Sequence, residues 1–556
     1  MIDSPANAFL YYVPHGYTTT GAALLGIQAA NEGFLRGLLH HGRIDVACAA
    51  VDDDVAAEAF LNAVRQVVPD MAVKAVSIRR PDLLAAGGAL FLPGPGLSEY
   101  AWQRRQFDQR GYSLCGVTHA MSPDVVMDDV CNFTLAPVQA WDALVCTSTS
   151  IRQMIETLLG DWHAYLHERL AATLPPAPQM PLIPLGIDCA RFVAGAANRA
   201  EGRRRLGIGE DDIAVLYFGR LNHLAKAHPV PMYQAMELAA ATSGKRLHLI
   251  QAGWFAGEIL DPWFREAARQ TCPSVNVTFL DGREGATRTG IWSVADIFVS
   301  LADNIQESFG LSPIEAMAAG LPVVVSDWDG YRETVRHGVD GFRIATTMPP
   351  PMLGTDLTYA YGAERAPYDA YVGEVAQFVS VDVGQAAAAL EALVRDAALR
   401  RRMGEAGRLR ALQVYDWSVI IPAYQALWRE LATIRAGARE AVRRPAGGSW
   451  KPARPDPFSV FAGFPTRALA MDDQLFATGA GAGLYAMLRA SPLVSFADAR
   501  LPADEECRRV LTILDLAPAR VGDLVAQFPA DRQGVVFRGL VWMAKFNLLR
   551  VASRER

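Results

Sequence analysis

The seven cysteines of this 556-residue chain (Cys48, Cys115, Cys131, Cys146, Cys189, Cys272 and Cys507) include no Cys-x-x-Cys pair. Their odd number and scattered spacing argue against a zinc site or a disulfide framework and fit a reducing compartment. A basic excess is missing as well. With 53 Lys and Arg against 59 Asp and Glu the formal net charge is -6, the wrong sign for a general nucleic-acid binder. Nor does any run reach the ~18 uninterrupted apolar residues of a membrane helix. The apolar stretch at 83–97 is interrupted by "GG" and "PGPG". The opening "MIDSPANAFLYYVPHG" lacks the basic-then-apolar order of a signal peptide. These absences set the expectation of a cytoplasmic protein with no nucleic-acid partner and at most peripheral membrane contact.

What is present is an ordinary globular balance, 51% hydrophobic and 20% charged, in a chain long enough for more than one domain. Two basic runs, "GRRRLG" (202–207) and "LRRRMGEAGRLR" (399–410), fall in helical patterns and read as solvated helix faces. Short apolar strands alternate with amphipathic helices. In the first half the strands are "FLYYVP", "DVACAAV", "ALFLPG", "SLCGVTH" and "ALVCTS". After the proline-rich "PLIPLGIDCARF" the pattern restarts with "AVLYFGR", "RLHLIQAG", "VNVTFLDG", "ADIFVSL" and "PVVVSD". Strands apolar on both faces imply parallel sheets covered by helices. The expected class is α/β: two doubly wound Rossmann-like domains facing across a cleft, with a small, mainly α C-terminal domain. The boundaries fall at 1–190, 191–435 (its last helix free to cross back), a Pro/Gly-rich linker at 436–457, and 458–556. Residues 345–375 interrupt the second repeat and read as an inserted, tyrosine-bearing loop.

"NIQESFGLSPIEAMAAGLPVVVSD" (304–327) carries two carboxylates, Glu307 and Glu315, around a helix start. Ser312-Pro313-Ile314-Glu315 has capping-box spacing, with Ser312 as N-cap, which is the structural explanation for Glu315. It leaves Glu307 and Gly310 unexplained. A glycine before a helix lets the N–H groups near Gly310 and Leu311 approach an anion, and the helix dipole favours negative charge there. Carboxylates beside it accept hydrogen bonds from sugar hydroxyls, so the combination suggests a nucleotide-sugar. In "YFGRLNHLAKAHP" (217–229), Arg220 and Lys226 follow a strand end, where two cations neutralise a diphosphate. The pairs Asp52/Asp54 and Asp327/Asp329 match a metal-binding D-x-D pattern, but both sit at helix starts, where acids favour the dipole.

Together, "ESFGLSPIEAMAAGLPVVVSD", "FGRLNHLAKAHP", "PLIPLGIDCARF" and "DGYRETVRHGVDGF" resemble retaining glycosyltransferases of the GT-B fold, family four, over roughly 8–435. The resemblance implies that Glu307 contacts donor-sugar hydroxyls, that Glu315 binds the ribose, and that Arg220 and Lys226 hold the diphosphate. It implies a place near the donor sugar for His119 in "GVTHAMS". It further implies donor-binding roles for Ser308, Phe309, Gly310, Leu311 and Gly219, and for Gly21 in "HGYTTTGAA". The implied reaction transfers sugar from a nucleotide-sugar to a glycan, lipid-linked, protein or small-molecule acceptor, retaining anomeric configuration and needing no cofactor or metal. A sugar-nucleotide 2-epimerase and a catalytically silent sugar-nucleotide-binding module are the alternatives.

The resemblance stops before 458–556. There "EECRRVLTILDLA", "RVGDLVAQF" and "RQGVVFRGLVWMAKFNLLRV" resemble the helix-turn-helix part of a winged helix. The would-be recognition segment carries Val535, Val536, Phe537, Leu540, Val541 and Trp542 against few cations, which suits protein packing better than a phosphate backbone. The expectation is an accessory module that supports docking or homo-oligomers rather than reading DNA.

Overall fold

Two six-stranded parallel sheets organise the first 450 residues of the computed structural model, which describes residues 7–19, 26–173, 177–192, 196–438 and 449–552. The chain divides into two compact units, Met1–Trp450 and Lys451–Arg556. The first sheet contains β1 (Phe9–Tyr11), β2 (Val46–Val51), β3 (Ala72–Ser77), β4 (Ala89–Leu92), β5 (Ser113–Val117) and β6 (Ala143–Val145), in the order β3-β2-β1-β4-β5-β6. The second contains β7 (Ile213–Phe218), β8 (Leu247–Gly253), β9 (Asn276–Asp281), β10 (Ile297–Ser300), β11 (Val323–Ser326) and β12 (Gly341–Ile344), in the order β12-β11-β10-β7-β8-β9. Each sheet runs outward from its first strand and then reverses, the doubly wound order of a Rossmann-like domain. The pair forms the expected GT-B arrangement.

Most central strands are buried along their whole length, as continuous Val, Ile, Leu and Ala runs require of strands covered on both faces. Two edge strands, β3 and β12, escaped the sequence reading. β3 carries Lys74 and is buried only at Val76 and partly elsewhere, so it shows no continuous apolar run. In β12 only Gly341 and Ile344 are buried.

The helix Trp417–Gly437 ends the first unit on the first sheet, not the second. Its Trp417, Ile420, Ile421, Tyr424, Trp428 and Leu431 join Phe34, Leu38 and Phe91 in one core. Phe34 and Phe91 stack at 4.4 Å, and Tyr424 meets both edge-on. Each such buried side chain contributes ~1.5–3 kcal/mol, ample to hold the chain end on the far domain. Arg435 adds hydrogen bonds to the Gly88 carbonyl at 2.5 Å and the Ser113 hydroxyl at 2.7 Å.

The stretch expected to be a loop at 345–375 is folded. A ribbon of β13 (Thr346–Thr347) and β14 (Ser380–Val381) brackets the helices Thr355–Gly362 and Tyr368–Ala376. Turn-forming residues at both ends concealed two short helices that have few buried residues of their own.

In the second unit, β15 (Gln474–Ala477) pairs antiparallel with β16 (Ala519–Arg520) and β17 (Leu549–Val551). The helices Asp504–Leu516, Val521–Val525 and Gln533–Lys545 pack on this sheet through Cys507, Val510, Leu524, Val536, Leu540 and Met543. Much of the apolar character of 533–545 is thus spent on the module's own core. Residues 439–448 of the expected linker lie outside the described residues. Among the described residues no helix is long and apolar enough to cross a membrane.

Candidate active site

The predicted cations and carboxylates converge at the carboxyl ends of β7 and β10, neighbours where the strand order of the second sheet reverses. β7 delivers Gly219 and Arg220. The Gly219 N–H donates to the Ala252 carbonyl at 3.0 Å, and the Arg220 guanidinium donates to the Ala225 carbonyl at 3.2 Å. Asn222 shapes the loop between them, its Oδ1 accepting from the N–H groups of Leu224 (2.8 Å) and Ala225 (3.1 Å). Lys226 follows and places Nζ 2.7 Å from Glu307 Oε2. The loop is anchored from below, because the His228 N–H donates to Asp303 Oδ2 at 3.2 Å.

β10 delivers the second loop. Its Asn304 Oδ1 accepts from the Gln306 N–H at 2.8 Å, and the Glu307 N–H donates to the Asn304 carbonyl at 3.2 Å. This turn presents Glu307 to Lys226. Burial opposes the Glu307 charge, but the Lys226 ammonium and the N–H groups of Ser308 and Phe309 outweigh it and hold the carboxyl below its ordinary value. The Phe309 ring is buried in the core and meets Tyr415 at 6.0 Å, so at the site Phe309 offers its backbone.

The capping box is absent. The helix runs Leu311–Ala318 with Gly310 as N-cap and no side-chain cap, so Ser312 lies inside the first turn. The reason lies at Gly310, whose φ of 88° belongs to the left-handed region, and where any Cβ would enter the Tyr331 ring. Only glycine fits, and it starts the helix before Ser312 can cap it. The first-turn N–H groups, beginning at Leu311, consequently have no capping side chain. Glu315 is released from the reciprocal role. Among the described residues its half-buried carboxyl has no hydrogen bond, and burial pushes it up to about 7 against the opposing fields of Arg288 and Arg191.

The first half contributes from the carboxyl ends of β5 and β6. His119, just past β5, has a buried Nε2 with no hydrogen-bond partner among the described residues, and burial pushes its pKa down to about 4. Gly21 lies outside the described residues. From β6, Ser148 Oγ donates to Asp329 Oδ1 at 3.1 Å, and the Thr149 N–H donates to Glu333 Oε1 at 2.5 Å. These bonds tie the two Rossmann-like halves together.

Two further acids stand here, Asp303, which the sequence reading missed, and Asp329, which it assigned only to a helix start. Asp303 is buried and pushed up to about 7 by burial, despite donors from His228 and its own backbone. Asp329 does stand at a helix start, as read, yet it also faces the site. Burial, reinforced by the Glu307 and Glu333 charges, pushes it up to about 8, and its Oδ2 is buried without a partner among the described residues. Its φ of 40° is the only further signal, and that is invisible in sequence. Of the other D-x-D residues, Asp52 accepts from the Tyr11 hydroxyl, Asp54 opens the helix Asp54–Val67, and Asp327 pairs with Arg343.

The arrangement sets two cations and a helix start without a side-chain cap beside two carboxylates. Arg220, Lys226 and an uncapped helix start favour a diphosphate. Glu307 and Glu315 offer acceptor oxygens to hydroxyl groups.

D-inositol 3-phosphate glycosyltransferase of Nocardia farcinica is 32% identical over 165 residues, 29% of this chain and 36% of that protein. The GDP-mannose-dependent alpha-(1-6)-phosphatidylinositol monomannoside mannosyltransferase of Mycobacterium tuberculosis is 26% identical over 215 residues, covering 36% and 54%. The matches thus span about a third to a half of these relatives' lengths. Among solved structures, Anabaena HepE in complex with UDP and glucose covers 76% of this chain and 98% of its own, with a TM-score of 0.49 at 15% identity. Residues 198–351, which hold β7 through β12 with Gly219, Arg220, Lys226, Glu307, Gly310 and Glu315, match the family of glycosyl transferases group 1.

Proposed function

We propose that this chain transfers a sugar from a nucleotide-sugar to an acceptor, with retention of anomeric configuration and without a metal. The observation that carries the reading is the meeting of Lys226 with Glu307 beside Arg220, at a helix start that only glycine permits. Departure of a nucleoside diphosphate requires stabilisation of the negative charge that develops on its phosphate oxygens. Arg220, Lys226 and the first-turn N–H groups are fixed before reaction and offer that stabilisation without reorganising. Glu307 holds the donor-sugar hydroxyls and orients the anomeric carbon, and Glu315 takes the ribose. His119 is neutral above its lowered pKa and lends a hydrogen-bonding edge on the acceptor side rather than a charge. The module at 458–556 supports docking or self-association.

The test begins with thermal shift against UDP-, GDP- and ADP-sugars, the second set suggested by the donor named for the mycobacterial relative. A donor at 100 times its Kd stabilises by ~2.7 kcal/mol. Turnover is then followed in EDTA, and the first-formed product is examined by NMR for its anomeric configuration. Retained configuration with undiminished activity supports the reading. Inversion, or activity restored only by a divalent ion, defeats it. Binding without turnover identifies a silent module, and isomerised donor identifies an epimerase.

A further inference from the structure

The family match ends at residue 351, inside the folded insertion bracketed by β13 and β14. The insertion is seated on both donor loops. The Asn304 side-chain amide donates to the Leu224 carbonyl and, at 3.4 Å, to the Val372 carbonyl. Gly373 lies so close to the loop that a Cβ would stand 3.0 Å from Leu224 Cα. One face of the helix Tyr368–Ala376 is therefore pressed onto the segment that aims Arg220 and Lys226.

Its tyrosines reach the other way. The Tyr368 hydroxyl lies 2.7 Å from Ser122 Oγ. The Tyr361 hydroxyl donates to Asp124 Oδ1 at 3.0 Å and accepts from the Asp124 N–H at 3.4 Å. Ser122 and Asp124 belong to the segment that follows β5 and carries His119. The Tyr361 and Tyr371 rings stack at 4.6 Å with 5° between planes, which stiffens the span joining the two short helices.

We propose that residues 345–382 form a strap across the cleft, with Tyr361 and Tyr368 as positioning residues that close the two halves over the transfer site and exclude water from it. The proposal rests on the glycosyl-transfer reading for its chemical consequence, though not for the closure itself. In transfer, the bond from the anomeric carbon to the phosphate oxygen breaks. A bond to the acceptor oxygen forms, and the acceptor's hydroxyl proton passes to the released phosphate. Water undergoes the same exchange, so an open cleft converts donor into free sugar. Hydroxyl-to-hydroxyl and hydroxyl-to-carboxylate bonds are individually weak and readily remade, which suits a strap that opens for substrates and closes on them.

The test uses the full chain as the Tyr361→Phe/Tyr368→Phe double variant, which keeps both rings and the stack, and Ser122→Ala, which removes one partner from the opposite side. Hydrogen–deuterium exchange reports on 118–126, and the ratio of donor hydrolysis to transfer reports on the chemistry. Both variants should speed exchange in 118–126 by about fivefold or more while the rest of the chain keeps its protection. In the same variants the hydrolysis-to-transfer ratio should rise with donor Kd unchanged. Unaltered exchange at 118–126 overturns the strap, and so does a uniform loss of protection with a lowered Tm. A selective rise in exchange in a protein that neither transfers nor hydrolyses any nucleotide-sugar keeps the strap and refutes the transfer reading.

Discussion

Lys226 Nζ stands 2.7 Å from Glu307 Oε2, so one side chain expected to hold a diphosphate is paired with the one expected to hold the sugar. The pair fixes both groups before any ligand arrives. A diphosphate entering beside Arg220 meets a lysine already in place, and Glu307 stays ionised to accept from hydroxyls. Lys226 is about one third exposed and Glu307 much less, so the lysine is the member that an entering ligand meets first.

Removing Lys226 leaves only the Ser308 and Phe309 N–H groups to offset the Glu307 charge. Lys226→Ala and Arg220→Ala should each lower kcat/KM by about 10²-fold or more, since losing the partner of a desolvated charge costs ~2–5 kcal/mol. Lys226→Ala should also move the acid limb of the rate profile to higher pH, because Lys226 holds the Glu307 carboxyl below its ordinary 4.5. The sign for stability follows. The pair stabilises the fold above the ordinary carboxylate range, and that contribution disappears as pH falls through the lower folded value. Steady-state kinetics across pH check the first two statements, and denaturant unfolding across pH checks the third.

Glu315 has the opposite sign. Its carboxyl is raised from 4.5 to about 7, so ionisation favours the unfolded chain and stability is lost as pH rises from about 4.5 to about 7. Glu315→Gln should therefore leave Tm at pH 8 unchanged or higher while raising the donor KM. A lowered Tm with unchanged kinetics would restore a purely structural role.

His119 should show no titration between pH 6 and 8, because burial holds it near 4. An NMR titration of its imidazole reads this directly. His119→Phe should lower kcat for transfer with little change in nucleotide affinity, since His119 belongs to the opposite half from the diphosphate loops.

Gly310→Ala meets two obstacles at once, a left-handed backbone and the Tyr331 ring. The backbone term costs ~1–2 kcal/mol and overpacking ~1–3 kcal/mol. The expected result is a clear fall in Tm together with weaker nucleotide binding, because the displaced helix start carries the anion site. Denaturant unfolding and calorimetric titration measure the two effects.

The sequence by itself determined the sheets and the charged residues that gather at the carboxyl ends of β7 and β10. Central strands of a covered parallel sheet must be largely apolar on both faces, so β1, β2, β4–β7, β10 and β11 are written as short apolar runs, and β8, with His248 and Gln251, and the half-exposed edge strand β9 were legible too. Arg220, Lys226, Glu307 and Glu315 were legible because charged residues at the ends of such runs have few other reasons to be there. The tertiary structure decided what depends on contacts distant in sequence. The edge strands β3 and β12 are half-exposed and lack the run. Ser312 lost the N-cap to Gly310 because the Tyr331 ring, packed from a later helix, fills the space where any other side chain would go. Asp303 and Asp329 became site acids because burial and neighbouring charges raise their pKa values, and neither burial nor field is a property of local sequence. The helices Thr355–Gly362 and Tyr368–Ala376 are held by Leu224, Asn304, Ser122 and Asp124, which no periodicity within 345–375 records. Local pattern specifies elements through side-chain spacing, whereas the site's geometry and charge arise only when loops from separate strands share one buried space.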